Sequence, residues 1–242
     1  MTVLIALRSL LFNVLFYVVL VLFLVVGSPM LFAPRRAAIA ALKLWASTSL
    51  VLLKLVCGIG MEVRGLEHMP KGPLLVAGKH QSFWETFAIL PLLDDPCMVL
   101  KRELTLIPLF GWFALKFRMI AVERGAGSQA LRKLIRRGKE EAAAGRQIVI
   151  MPEGTRRTPG DPPDYKPGAA ALYGALGVPC LPFGLNAGLY WPRRKFLRYP
   201  GTIILEFCPV IAPGLARAEF QKALEAAIEG ASNRLLAEAK QN

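Results

Sequence analysis

The chain has 242 residues, room for one globular domain with an appendage but short of two full domains. A net charge of +13 combined with 54% apolar residues suits a basic protein lying against an anionic membrane surface better than a soluble nucleic-acid binder. Four dispersed cysteines (Cys57, Cys97, Cys180, Cys208) form no CxxC pair, and the only histidines are His68 and His80, which argues against a zinc site or a disulfide framework.

From Met1 to Gly60 the chain carries Arg8, Arg35, Arg36, Lys43 and Lys54 and no acidic residue, and the 26 residues from Ser9 to Pro34 are uncharged. That run is long enough to cross a bilayer as a helix. It is also long for a cleaved signal peptide, and no small-residue cleavage site precedes Arg35. Ala37 to Gly60 is interrupted by Lys43 and Lys54, which with Ser47 and Val51 recur on one side of a helix. This spacing predicts an interfacial or hairpin-returning helix. Residues 1–60 are therefore expected to form membrane-anchoring helices and residues 61–242 an α/β domain.

Beyond Met61, short apolar runs predict strands at 73–77, 97–100, 119–122, 147–151, 178–183 and 202–207. Helices are expected between them at 83–93, 107–117, 128–144 and 168–176, and a last one at 216–239. Ser128 is the expected N-cap of the third, with Gly145 as its stop. Alternating strands and helices, with several strands apolar throughout, predict an α/β fold with a mostly parallel central sheet flanked by helices. The N-terminal helical segment would be membrane-associated. Thr158 to Gly168, rich in proline and glycine, reads as a surface loop.

Three polar clusters follow apolar strands, where open α/β sheets bind ligands. "KHQSFWETF" contains His80 and Glu85; a near-neutral imidazole can take a hydroxyl proton, and a carboxylate on its other nitrogen fixes the tautomer. The bland reading is a histidine at a helix start with Glu85 as a favourable first-turn charge. Ser82, two residues from His80, lacks the G-x-S-x-G elbow of an esterase. "KRELTLIPLFGWF" and "MIAVERG" place Lys101 and Arg124 just past strands, suited to a phosphate or else to solvent. "IVIMPEGTRR" offers Gly154 for close backbone approach, with Arg156 or Arg157 in reach of a phosphate. "LYWPRRKFLRYP" (Leu189 to Pro200) reads as an interfacial segment with Tyr190 and Trp191 at headgroup depth.

Together these clusters resemble the 1-acylglycerol-3-phosphate acyltransferase family of the glycerolipid acyltransferase superfamily. The family's ordered blocks correspond to His80 to Glu85, then Glu103-Leu104, Ile107-Pro108 and Gly111-Trp112 up to Arg124, then Pro152 to Arg156, then Val178-Pro179 through Pro182. The resemblance implies transfer of a fatty acyl group from acyl-CoA or acyl carrier protein to the sn-2 hydroxyl of lysophosphatidic acid, giving phosphatidic acid. It makes His80 the general base and Glu85 its orienting acid. Lys101, Arg124 and Arg156 would hold the acceptor's phosphate, and Glu153, Gly154 and Thr155 would shape the pocket. It implies no resident cofactor or metal, membrane lipids and no nucleic acid as partners, and a bacterial inner membrane with the catalytic domain on the cytoplasmic face. Related branches acylate glycerol-3-phosphate or lyso-ornithine lipid, and a basic membrane-anchored binding protein is the non-enzymatic alternative. Two positions depart from the pattern: Glu85 replaces the usual aspartate, and Lys79 stands where asparagine is common. The extra methylene would set the backbone farther from the imidazole or bend the dyad.

Overall fold

The computed structural model describes residues 2–123, 125 and 127–241. Among these, seven strands form one sheet: β1 Ile59–Arg64, β2 Leu74–Gly78, β3 Pro96–Lys101, β4 Ile120–Val122, β5 Gln147–Ile150, β6 Cys180–Leu185 and β7 Gly201–Phe207. Their order is β1-β7-β6-β2-β5-β3-β4, with every neighbouring pair parallel except β6–β7. The α-helices are α1 Thr2–Val26, α2 Arg35–Cys57, α3 Glu85–Ala88, α4 Phe110–Lys116, α5 Gly127–Ala143, α6 Gly168–Leu176, α7 Ala187–Tyr190 and α8 Arg217–Gln241.

The central strands β2, β5 and β6 are buried at every position, as strands covered on both faces must be. Alternate side chains serve opposite layers. Leu74, Val76, Val149, Leu181 and Phe183 join a core with Phe12 and Phe16 of α1 and Trp45 and Leu53 of α2. Leu75, Ala77, Ile148 and Cys180 join the other core, with Leu134 of α5, Leu172 of α6 and Phe220, Leu224 and Ile228 of α8.

Several local expectations are corrected. Instead of one helix over 83–93, α3 makes a single turn and a 3-10 turn follows at Leu90–Leu92, because Pro91 lacks the N–H that would continue the ladder. Ser128 is not a cap: α5 begins at Gly127, and the Ser128 hydroxyl accepts from Arg132 Nη1 at 3.3 Å. Strand β1 was not expected at all.

α1 and α2 are each long and apolar enough to cross a membrane, and one side of each packs on the sheet. α1 buries only Ser9, Phe12 and Phe16, while Leu7, Val14, Val18 and Val25 are about half exposed or more. Both ends of the pair are tied to the sheet domain. Arg35 Nη1 donates to Asp95 Oδ1 at 2.7 Å, and Arg198 N donates to Ser9 Oγ at 2.8 Å. Gly58, in the left-handed conformation at φ +69°, ends α2 and leads straight into β1, so the boundary expected near residue 60 falls inside the first strand. Trp191 is also not interfacial: it is 6% exposed, and its ring lies 5.3–6.2 Å from those of Phe12, Phe16, Phe83 and Phe87. The Arg198 guanidinium sits 4.4 Å above it.

Candidate active site

Strands β2, β5 and β3 are adjacent and parallel, so the loops that leave their carboxyl ends share one edge of the sheet. Those loops carry the His80 block, the Pro152–Arg157 turn and the Lys101 block. β2 ends on Gly78, where a Cβ would lie 2.1 Å from the Phe183 ring of β6; only glycine leaves room for that ring to lie across the strand end. The chain then turns through Lys79, His80 and Gln81 into α3.

His80 Nδ1 lies 2.7 Å from Glu85 Oε1. The same oxygen accepts from the backbone amides of Gln81 at 2.8 Å and Ser82 at 2.7 Å. Glu85 is the first residue of α3 and fully buried, so its carboxylate meets the imidazole and the amides of the turn at one point. The added methylene relative to aspartate is taken up by this curl, and the dyad closes at ordinary hydrogen-bond length. The imidazole keeps 12% side-chain exposure while its partner keeps none. One oxygen of Glu85 both organises the turn and holds the ring. Ser82 is fully buried and its hydroxyl accepts from Trp84 N at 3.3 Å, so it presents no nucleophile.

The turn after β5 meets this block directly. Gly154 adopts φ +63°, and its N–H closes the turn onto the Met151 carbonyl at 2.9 Å, a conformation that favours glycine. Arg157 N donates to the His80 carbonyl at 2.7 Å. The Arg156 guanidinium stands 6.0 Å from the Phe83 ring centroid, so it accompanies the histidine block. Thr155 sits in the same turn, half-buried. Glu153, 1% exposed, accepts from Lys79 Nζ at 3.0 Å. Burial raises the pKa of the Glu153 carboxyl, against the pull of the Lys79 ammonium.

Lys101 ends β3 with its ammonium 2.8 Å from Glu103 Oε1, both side chains substantially exposed. It lies on the same sheet edge, and its described ion pair is with Glu103 alone. Arg124 lies outside the described residues. Sequence reasoning missed Glu229 of α8, which accepts from Lys79 Nζ at 2.7 Å and from the Tyr165 hydroxyl at 2.8 Å. In the sequence Lys79 stands out only as a departure from asparagine, and Glu229 is one of many charges along α8. Gln81 was also missed; its Oε1 accepts from Gly188 N at 2.9 Å and ties the block to α7.

Residues 60–186, just over half of the chain, match the family model described as Acyltransferase. The chain belongs to the acyltransferase family. It is 40% identical over 167 residues to a 1-acyl-sn-glycerol-3-phosphate acyltransferase of Pseudomonas aeruginosa, a match covering 69% of this chain and 65% of that one. It is 33% identical over 104 residues to a lyso-ornithine lipid O-acyltransferase of the same organism, covering 43% and 39%. The fold matches the crystal structure of the 1-acyl-sn-glycerophosphate acyltransferase PlsC from Thermotoga maritima with a TM-score of 0.76. That match has 21% identity and covers 95% of this chain and 97% of the other.

Proposed function

We propose that this acyltransferase moves a fatty acyl group from acyl-CoA or acyl carrier protein to the sn-2 hydroxyl of lysophosphatidic acid, forming phosphatidic acid. The observation that carries the reading is the His80–Glu85 pair at 2.7 Å on the ligand-binding edge of the sheet. With Nδ1 held by Glu85, Nε2 takes the hydroxyl proton while the hydroxyl oxygen attacks the thioester carbonyl carbon. Glu85 stabilises the imidazolium that forms. The tetrahedral oxyanion then collapses, the C–S bond breaks, and the departing thiolate takes the proton from Nε2.

Arg156 and Lys101, with Arg124, are assigned to the acceptor's phosphate, and Glu153, Gly154 and Thr155 to the wall of its pocket. Lys101 can change partners cheaply, since an exposed ion pair such as that with Glu103 is worth about 0–1 kcal/mol. The exposed apolar sides of α1 and α2 would lie in the membrane that holds the lysolipid, beside a domain of basic character. Four buried free cysteines fit the cytoplasmic face of a bacterial inner membrane.

The experiment supplies purified protein with labelled acyl thioester and either lysophosphatidic acid or lyso-ornithine lipid, comparing wild type with His80→Ala. The expected result is turnover of lysophosphatidic acid that falls about 10²–10⁴-fold in the variant. Full activity in His80→Ala overturns the mechanism. Preference for lyso-ornithine lipid overturns the acceptor assignment, in line with the second Pseudomonas relative.

A further inference from the structure

We propose that Lys79 is a positioning residue for His80, and that through Glu229 the C-terminal helix α8 is a working part of the active site. The inference rests on the acyl-transfer reading above and adds to it residues outside the His80–Glu85 pair.

Lys79 is 3% exposed. Its backbone N–H donates to Phe183 O of β6 at 3.1 Å, fixing the main chain one residue before the histidine. Its ammonium donates to Glu153 Oε1 at 3.0 Å and to Glu229 Oε1 at 2.7 Å. Glu229 also accepts the Tyr165 hydroxyl at 2.8 Å. One buried cation thus joins the end of β2, the turn after β5, the proline-rich loop and α8, segments separated by up to 150 residues.

Both described hydrogen bonds of the ammonium go to protein carboxylates, so Lys79 is occupied internally and acts on chemistry through its neighbour. His80 is held on its other side by Arg157 N at its carbonyl. The two anchors bracket the histidine, and the ammonium aligns the Glu153 turn with it. Glu229 is 16% exposed and lines a cleft of about 720 Å³ with Pro163, Lys222 and Glu225, so the far end of this network reaches solvent.

Charge balance makes the network sensitive. Two carboxylates share one ammonium; removing the cation leaves two like charges facing each other in a buried site. Removing Glu229 instead leaves Lys79 and Glu153 as a one-to-one pair, which the fold tolerates better.

The test uses the full-length protein with Lys79→Met and Glu229→Leu, reading kcat and the acceptor KM per folded molecule alongside 15N imidazole NMR. The chain has only two histidines, so a His68→Gln background assigns the His80 ring signals. We expect kcat to fall about 10–100-fold in Lys79→Met and about 10-fold in Glu229→Leu, with KM little changed. The His80 ring resonances should shift or broaden in both. Wild-type kcat and His80 signals in folded variants overturn the proposal. Should Lys79→Met fail to fold, Glu229→Leu decides on the same two readouts. A wild type inactive on every lysolipid overturns the acyl-transfer reading, while the His80 resonances still decide this one.

Discussion

The substitution Glu85→Asp tests whether the candidate active site is built around the longer acid. Glu85 Oε1 receives three donors, from His80 Nδ1, Gln81 N and Ser82 N, all at 2.7–2.8 Å. Shortening the side chain by one carbon withdraws the carboxylate by about 1.5 Å. The main chain is poorly placed to follow, because Trp84 and Phe87 on either side of it are buried in the core beneath α1 and α2. If the turn follows by half that distance, the three contacts weaken together. The expected loss is about 2–4 kcal/mol of stability, given about 1.5–3 kcal/mol for each hydrogen bond to a charged group. The imidazole would lose its alignment, lowering kcat about 10–100-fold. Thermal unfolding and steady-state kinetics on the purified variant measure both. A kcat within about threefold of wild type and an unshifted Tm would show that the turn closes onto either acid, refuting the reasoning.

Other consequences can be measured separately. Arg146 is fully buried and donates to Glu141 Oε2 at 2.7 Å, Asp95 Oδ1 at 3.0 Å and the carbonyls of Pro96 and Phe117; Arg146→Met should cost about 3–5 kcal/mol in denaturant unfolding, with kcat per folded molecule unchanged. For Asp95, burial pushes the carboxyl up, but Arg35 and Arg146 more than offset it and leave it below its ordinary value. That contribution is present above the unfolded pKa of about 3.9 and lost as pH falls through the lower folded value, so Asp95→Asn should flatten the acid limb of a stability-versus-pH curve below about pH 4. Burial pushes the Cys97 thiol up to about 12 and Cys208 to about 11; both should resist thiol-specific labelling in the native protein and react on unfolding.

Most strands were legible because they are uninterrupted apolar runs, and an all-buried strand between two helical layers has to be one. β2, β5 and β7 lie within a residue or so of where the runs place them. β1 was not legible: "IGMEVR" is an edge strand that alternates, Ile59, Met61 and Val63 turning to the core and Glu62 and Arg64 pairing outside it, so it shows no uninterrupted apolar run, and its first two residues continue the apolar stretch of α2. Trp191 was misread for a related reason. Beside Arg193, Arg194 and Lys195 its local pattern is that of a membrane interface, while its burial is decided by Phe12 and Phe16, which no local window includes.

The same distinction separates the legible part of the candidate site from the rest. His80 and Glu85 sit in one turn, five positions apart, so a short window of sequence holds both partners of the hydrogen bond. Lys79 and Glu229 are joined only by folding, across 150 residues, and each alone resembles a solvated charge. The N-terminal helices behave likewise: composition marks them as membrane segments, yet Phe16 of α1 contacts Trp45, Phe83, Phe87 and Trp191 and closes the core directly beneath the His80 turn. Phe16→Ala would open a cavity there at a cost of about 3–5 kcal/mol. A chain begun at Gly58 would expose that whole aromatic cluster, so it should aggregate instead of yielding a soluble catalytic domain. Recovery of a monomeric, folded and active 58–242 fragment would show that α1 and α2 are an anchor only, and that the core beneath the site closes without them.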